Sequence, residues 1–230
     1  MVNNLRVVIA AAGTATRMGG KVNKQYLLLK SRPVLAYSLD AFEAFDLVDE
    51  IIIVANPMEV EYCEKEIVKK YRYKKVSQVV PGGKERQDSV WIGLKQLRSD
   101  TDLVAVHDGA RPLLSFQLLK DLLVEAQEWG AAIPGVMPTD TLKLVDRDDF
   151  VRQTLDRSSV VGIQTPQIFK YTELLAAYNQ AYEEGFTATD DASLFETYIG
   201  RVKVVKGDYR NLKITTPLDL KLAEVLLREQ

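Results

Sequence analysis

Short apolar runs, most of them separated by stretches of helical character, limit this chain's fold more than any other feature. They are Val7–Ala12, Glu50–Ala55, Val76–Val80, Leu103–His107, Ala131–Val136 and Val202–Val205. Apolar side chains at successive rather than alternate positions mark strands buried on both faces. Between the runs, Pro33–Phe45, Met58–Tyr71, Glu85–Leu97 and Phe116–Trp129 have the length and period of helices, and Pro33 suits a first helical turn. This alternation predicts an α/β fold: a Rossmann-like, mainly parallel sheet with helices on both faces.

One segment breaks the rhythm. Thr141–Val145 and Phe150–Leu155, joined by Asp146-Arg147-Asp148-Asp149, read as a β-hairpin arm at about 139–156. An isolated two-stranded ribbon is marginal in water, so it should pack on something. A second subunit is the expected support, giving a homodimer, and its own domain is the alternative. Helices at Tyr171–Glu184, Ala192–Tyr198 and Pro217–Arg228 follow. With no internal repeat and no low-complexity linker, residues 1–230 are expected to form a single domain.

Charge and cysteine usage narrow the partners. Lys and Arg number 30 against 32 Asp and Glu, so no global positive field exists to hold nucleic acid. The lone Cys63 excludes an intramolecular disulfide. Asn3, Asn4 and Arg6 precede a short run that ends in a turn, which does not read as a signal peptide. No apolar stretch approaches the roughly 18 residues of a membrane span. A cytoplasmic protein acting on small molecules, without nucleic acid or membrane, is the expectation.

The turn after the first run suggests phosphate chemistry. Ala11-Ala12-Gly13 lets backbone N–H groups approach anionic oxygens, and Arg17, Lys21 and Lys24 follow. Two familiar motifs fail here. A P-loop would place Gly-Lys where Met18 begins, and the dinucleotide fingerprint would place its second glycine at Ala15. In open parallel sheets, ligands sit beyond the carboxyl ends of the strands, so the residues after the other runs are the next candidates. They include Gly82-Gly83 with Ser89, and His107-Asp108 with Arg111. Asp108 can serve a substrate hydroxyl or a magnesium-bound phosphate, or simply form a turn before Gly109. His107 is the only histidine, which argues for a structural role and against a histidine metal cluster or hydrolase triad. Thr189-Asp190-Asp191 before an apolar run is explained by helix capping alone.

Taken together, ordered blocks across nearly the whole chain resemble one family. They are Ala11-Ala12-Gly13 with Arg17-Met18 and Lys24-Gln25, Gly82-Gly83 with Glu85-Arg86 and Ser89-Val90, and His107-Asp108 with Ala110-Arg111-Pro112. Asp140-Thr141 with Lys143, Asp156-Arg157, Thr165-Pro166-Gln167, Thr189-Asp190 with Ala192-Ser193, and Asn211 with Lys213-Ile214-Thr215 complete the set. The chain thereby resembles the 2-C-methyl-D-erythritol 4-phosphate cytidylyltransferases of non-mevalonate isoprenoid biosynthesis.

The resemblance implies transfer of a cytidylyl group from CTP to methylerythritol phosphate with release of pyrophosphate. By the same resemblance, Arg17, Lys24, Arg157 and Lys213 are catalytic, with Arg17 and Lys24 at the α-phosphate. Ala11, Ala12, Gly13, Gly83, Ser89 and Asp108 would hold the nucleotide. Asp108, Arg111, Thr141, Thr165, Thr189 and Lys213 would line the acceptor site, with Arg157 reaching it from a partner subunit. Mg2+ is expected on the CTP phosphates, with Asp108 as a candidate ligand. Ala15 and Asn23 depart from a common glycine and a common proline, which bears on loop rigidity and leaves the cations intact. The alternatives are a ribitol 5-phosphate cytidylyltransferase and a nucleotide-binding regulator without turnover.

Overall fold

The computed structural model describes residues 4–13 and 23–228, so Arg17, Lys21 and Ala15 lie outside the described residues. The first half of the chain runs β1 (Leu5–Ala11), β2 (Leu28–Leu29), β3 (Arg32–Pro33), α1 (Val34–Glu43), β4 (Val48–Ala55), α2 (Val60–Tyr62), β5 (Val76–Pro81), α3 (Arg86–Leu94), β6 (Leu103–Asp108) and α4 (Phe116–Trp129). The second half runs β7 (Ala131–Val136), β8 (Lys143–Val145), β9 (Val151–Thr154), β10 (Gly162–Ile163), β11 (Gln167–Lys170), α5 (Tyr171–Glu184), α6 (Asp191–Tyr198), β12 (Lys203–Lys206) and α7 (Pro217–Leu226).

The main sheet is ordered β10-β7-β11-β6-β1-β4-β5, with β12 paired to the other side of β7. All six apolar runs become strands that point the same way, because β1 is parallel to β4 and β6, β4 to β5, and β12 to β7. The exception is β11, which lies antiparallel between β6 and β7 and is preceded by the short β10. Sequence periodicity did not reveal these two. The helix expected over Met58–Tyr71 also differs in winding: a 3-10 turn at Pro57–Glu59 leads into α2, which continues as a π-helical stretch at Cys63–Lys69.

Burial on both faces explains the apolar runs of β1, β4, β6 and β7, whereas β5 and β12, expected to be buried likewise, are only partly covered. Val7 and Ile9 face one side with Ile51 and Ile53, against Leu35, Leu39 and Phe42 of α1 and Leu119 and Leu122 of α4. Val8 faces the other with Ile52, Val54 and Val106, against Val90 and Leu94 of α3 and Leu174 and Tyr178 of α5. Each such side chain contributes about 1.5–3 kcal/mol on burial. Local signals end the helices cleanly: Ser115 accepts from Leu118 N to start α4, and Gly130 closes it at φ +85°, a conformation that glycine adopts without strain.

The hairpin forms as its own two-stranded sheet, with β8 and β9 antiparallel. Both strands are exposed along their whole length, including Leu144, Val145 and Val151, and Phe150 beside them is 71% exposed. The turn is locked by Asp146, whose Oδ1 accepts from Asp148 N and Phe150 N, each at 3.0 Å.

Candidate active site

The parallel strands deliver their carboxyl ends to one edge of the sheet. Ala10 pairs with Asp108, and Ala55 with both Ala11 and Pro81, so the turns after β1, β4, β5 and β6 meet there. The chain crosses from β1 to β4 on one side and later returns to β6 on the other, so a crevice opens where the winding reverses. A cavity of about 390 Å³ occupies this place. Its wall includes Ala11, Ala12 and Gly13, then Lys24, Gly83, Arg86, Ser89, Asp108 and Lys213.

Small residues and short tethers shape the first half of the wall. Buried Gln25 donates from Nε2 to Ala11 O at 2.7 Å, which ties the stretch carrying Lys24 to the end of β1. Asn23, just before it, donates to Glu59 Oε1 at 2.7 Å. Gly82 packs so closely that a Cβ there would lie 2.5 Å from the Ala12 Cβ. At Gly83 it would lie 2.2 Å from the Asp88 Cβ, so neither turn position has room for a side chain. Ser89 borders the cavity, but its hydroxyl is engaged in the turn: it accepts from Gly83 N at 3.2 Å and donates to Glu85 O at 3.1 Å.

Charge concentrates on Asp108. Lys213 Nζ lies 2.6 Å from its Oδ2, Arg86 Nε lies 3.2 Å from its Oδ1, and Arg111 Nε stands 3.8 Å from Oδ2. Burial alone would raise the pKa of this carboxyl, but Arg86, Lys213 and Arg111 outweigh it and hold the group well below the usual carboxylate range. Arg86 is held in turn by Asp191, a completely buried acid, through Nη1 at 3.1 Å and Nη2 at 2.7 Å. Burial works against the Arg86 charge, yet Asp191 and Asp108 raise its pKa well above the ordinary value. Sequence reasoning missed the Arg86–Asp191 pair, because the two residues are 105 positions apart and nothing in their separate motifs links one to the other.

Arg111, Thr165 and His107 form the support behind Asp108 rather than the cavity wall. Thr165 Oγ1 accepts from Asp108 N at 3.0 Å and lies 3.1 Å from His107 Nδ1. His107 Nε2 lies 3.3 Å from Arg111 O. The consistent assignment has the Thr165 hydroxyl donating to Nδ1 and the Nε2–H donating to the carbonyl, so His107 is neutral. Burial pushes its pKa down to about 4, in line with the structural role expected for it. Buried Arg111 donates from Nη1 to Asn211 O at 2.7 Å, and Asn211 Nδ2 donates to Thr165 O at 2.8 Å. These bonds, with Ile214 N donating to Ala110 O at 2.8 Å, hold Lys213 over Asp108.

Besides Arg111 and Thr165, three more expected residues do not border the cavity. Thr141 and Thr189 are exposed, the latter 3.3 Å from Ser193 Oγ. Arg157 is also exposed and donates to Thr139 O at 3.1 Å, at the foot of the hairpin. Asp190 caps α6 as the sequence suggests, its carboxylate accepting from Ser193 N at 3.0 Å. Among the described residues, no group of three or more His, Cys, Asp or Glu side chains could hold a metal ion, and no helix is long and apolar enough to cross a membrane.

Known proteins share both sequence and shape with this chain. Residues 5–229 match the family described as IspD: 2-C-methyl-D-erythritol 4-phosphate cytidylyltransferase. Enzymes of that name from Caldanaerobacter subterraneus subsp. tengcongensis and Clostridium acetobutylicum are 44% and 46% identical, over 98% and 96% of this chain and 100% and 96% of their own lengths. The crystal structure of 4-diphosphocytidyl-2C-methyl-D-erythritol synthase from Anaerococcus prevotii superposes with a TM-score of 0.86 at 34% identity, covering 98% of this chain and 99% of that one. The 2-C-methyl-D-erythritol 4-phosphate cytidylyltransferase of Thermus thermophilus gives 0.80 at 33% identity, covering 96% and 98%. By sequence and by overall fold, this chain, with its cation-lined crevice, belongs to the 2-C-methyl-D-erythritol 4-phosphate cytidylyltransferase family.

Proposed function

We propose that this chain transfers the cytidylyl group of CTP to 2-C-methyl-D-erythritol 4-phosphate, forming 4-diphosphocytidyl-2-C-methyl-D-erythritol and pyrophosphate for isoprenoid biosynthesis. One observation carries the reading. A single cavity joins a small-residue turn and Lys24 at one end to the Asp108–Lys213 pair at the other. A triphosphate suits the first end, where backbone N–H groups and an ammonium neutralise oxygens. A polyhydroxylated phosphate ester suits the second, where a carboxylate accepts from hydroxyls and Lys213 meets the phosphate.

The chemistry needs alignment more than proton transfer. A phosphate monoester has its second pKa near about 6, so the attacking oxygen is anionic at neutral pH and requires no general base. No histidine serves the cavity, since His107 is buried and engaged with Thr165 and Arg111. The barrier is the approach of two anions in line, which Lys24 and, outside the described residues, Arg17 would lower at the α-phosphate. Ala11, Ala12, Gly13, Gly83 and Ser89 form the nucleotide end, and Arg111 and Thr165 act through their hold on Asp108 and Lys213.

Magnesium fits as an ion carried in on the triphosphate, not as a resident of a protein cage. Asp108 is the deep carboxylate that would hold it, and Lys213 and Arg86 already claim both of its oxygens. When bound, the ion would neutralise charge on the triphosphate oxygens.

We further propose a homodimer in which the hairpin of one copy brings Thr141 and Arg157 to the site of the other, and Thr189 closes the acceptor end. The support is the uncovered length of β8 and β9 and the apolar side chains they present. A single nucleotidyltransferase domain in the cytoplasm is the setting we propose, in keeping with the lone free thiol at Cys63.

Pyrophosphate release, measured with CTP, UTP, ATP and GTP against methylerythritol phosphate, ribitol 5-phosphate and no acceptor, tests the activity. The expected result is release with CTP and methylerythritol phosphate above every other pair. Faster release with ribitol 5-phosphate, or CTP binding without release for any acceptor, would overturn it.

A further inference from the structure

Asp191 opens α6 yet is not needed to cap it. Its neighbour Asp190 does that work, accepting from Ser193 N through Oδ1 and from Gln167 Nε2 through Oδ2. The Asp191 carboxylate instead turns inward, fully buried, where Tyr178 OH donates to Oδ1 at 2.5 Å and Arg86 donates to both oxygens. An ion pair between a fully buried acid and a half-buried arginine is a poor source of stability, since desolvation offsets most of the attraction. Its geometry is more informative. The guanidinium is planar, so engaging both Nη groups on Asp191 leaves Nε with one direction, and that direction meets Asp108 Oδ1 at 3.2 Å.

We propose that Asp191 is a positioning residue for the acceptor end of the cavity. It locks the Arg86 fork, and Arg86 then occupies Oδ1 of Asp108 so that Oδ2 alone faces Lys213 and the incoming phosphate ester. Asp191 does not border the cavity, whereas Arg86, Asp108 and Lys213 do. The effect therefore passes through two ion pairs. Without the Asp191 charge, Arg86 is free to take both oxygens of Asp108, and Lys213 loses its anchor. Among the described residues, the Asp191 carboxylate bonds to Arg86 and Tyr178, and neither belongs to the proposed nucleotide end at Ala11–Gly13, Gly83 and Lys24. This inference rests on the acceptor assignment given under Proposed function.

The test is steady-state kinetics with CTP and methylerythritol phosphate varied separately, alongside thermal melting, for wild type, Asp191→Asn, Arg86→Lys and Tyr178→Phe. Asp191→Asn keeps the shape and removes the charge. Its KM for the acceptor is expected to rise roughly tenfold or more, the scale on which outer supporting groups act elsewhere, while its KM for CTP stays within about twofold. Arg86→Lys keeps the positive charge but cannot bridge two carboxylates as a fork, and should show the same split even where Asp191→Asn fails to fold. Tyr178→Phe removes one bond to the same carboxylate without touching Arg86, and should lower the melting temperature while leaving both KM values unchanged. A wild type that turns over, with Asp191→Asn and Arg86→Lys changing both KM values equally or not at all, would overturn the inference alone. A wild type with no turnover on this acceptor would overturn the assignment and the inference with it.

Discussion

At Asp108 one carboxylate answers three cations, and its neighbour His107 stays uncharged at the same depth. The two residues give the protein a readable response to acid. His107 binds its proton near pH 4 when folded, against 6.5 for a free imidazole, so between those values the unfolded chain holds a proton that the folded chain refuses. Stability is therefore full above about pH 6.5 and declines as pH falls toward about 4, by roughly 3 kcal/mol for a shift of this size. Asp108, with its lowered pKa, adds a further loss in still more acidic solution, once unfolded carboxylates begin to protonate. Urea denaturation across pH 4–7 should show this slope, and His107→Asn should flatten it; an unchanged slope would contradict the account. Lys24→Ala should slow the chemical step by about 2–4 kcal/mol, the size of one preorganised electrostatic contact, and single-turnover rates check this. Part of this scale was legible in the chain: Gly82-Gly83 and Asp108 stand at strand ends, while Lys213 was reached only through the family resemblance. The Arg86–Asp191 bridge was not, because pairing between the first residues of α3 and α6 leaves no trace in local composition.

Among the elements, α3 carries Ser89 of the proposed nucleotide end and packs closely on the sheet. A Cβ at Gly93 would sit 2.6 Å from Val8 Cγ1 and 2.8 Å from Val54 Cγ2, so the close approach depends on glycine. Gly93→Ala should cost about 1–3 kcal/mol through overpacking, as measured by chemical denaturation. It should also raise the KM for CTP by displacing Ser89 near the helix start. The parallel strands were readable because burial on both faces demands unbroken apolar runs such as Val7-Val8-Ile9. The antiparallel β11 escaped because it is only four residues long and sits between a proline turn and a helix. The winding change at Cys63–Lys69 escaped because a π-helical stretch keeps much the same apolar spacing as an α-helix over so short a length.

For the whole molecule, the uncovered hairpin makes assembly measurable through activity. Mixing Arg157→Ala subunits with Lys24→Ala subunits should restore one working site in each mixed dimer, or about one quarter of wild-type activity for random pairing of two copies. Complete failure to recover activity would show that the arm serves its own chain. Each homodimer alone should be inactive, which fixes the baseline. The winding reversal between β1 and β6 has one more consequence. Everything proposed to grip the nucleotide, apart from Asp108, comes before residue 90, and the described groups proposed to grip the acceptor come after residue 100. On the proposed roles, the seam between those strands is a line of divergence: substitutions confined to the distal half of the polypeptide would change the choice of sugar-alcohol, while the proposed hold on the pyrimidine donor stays untouched.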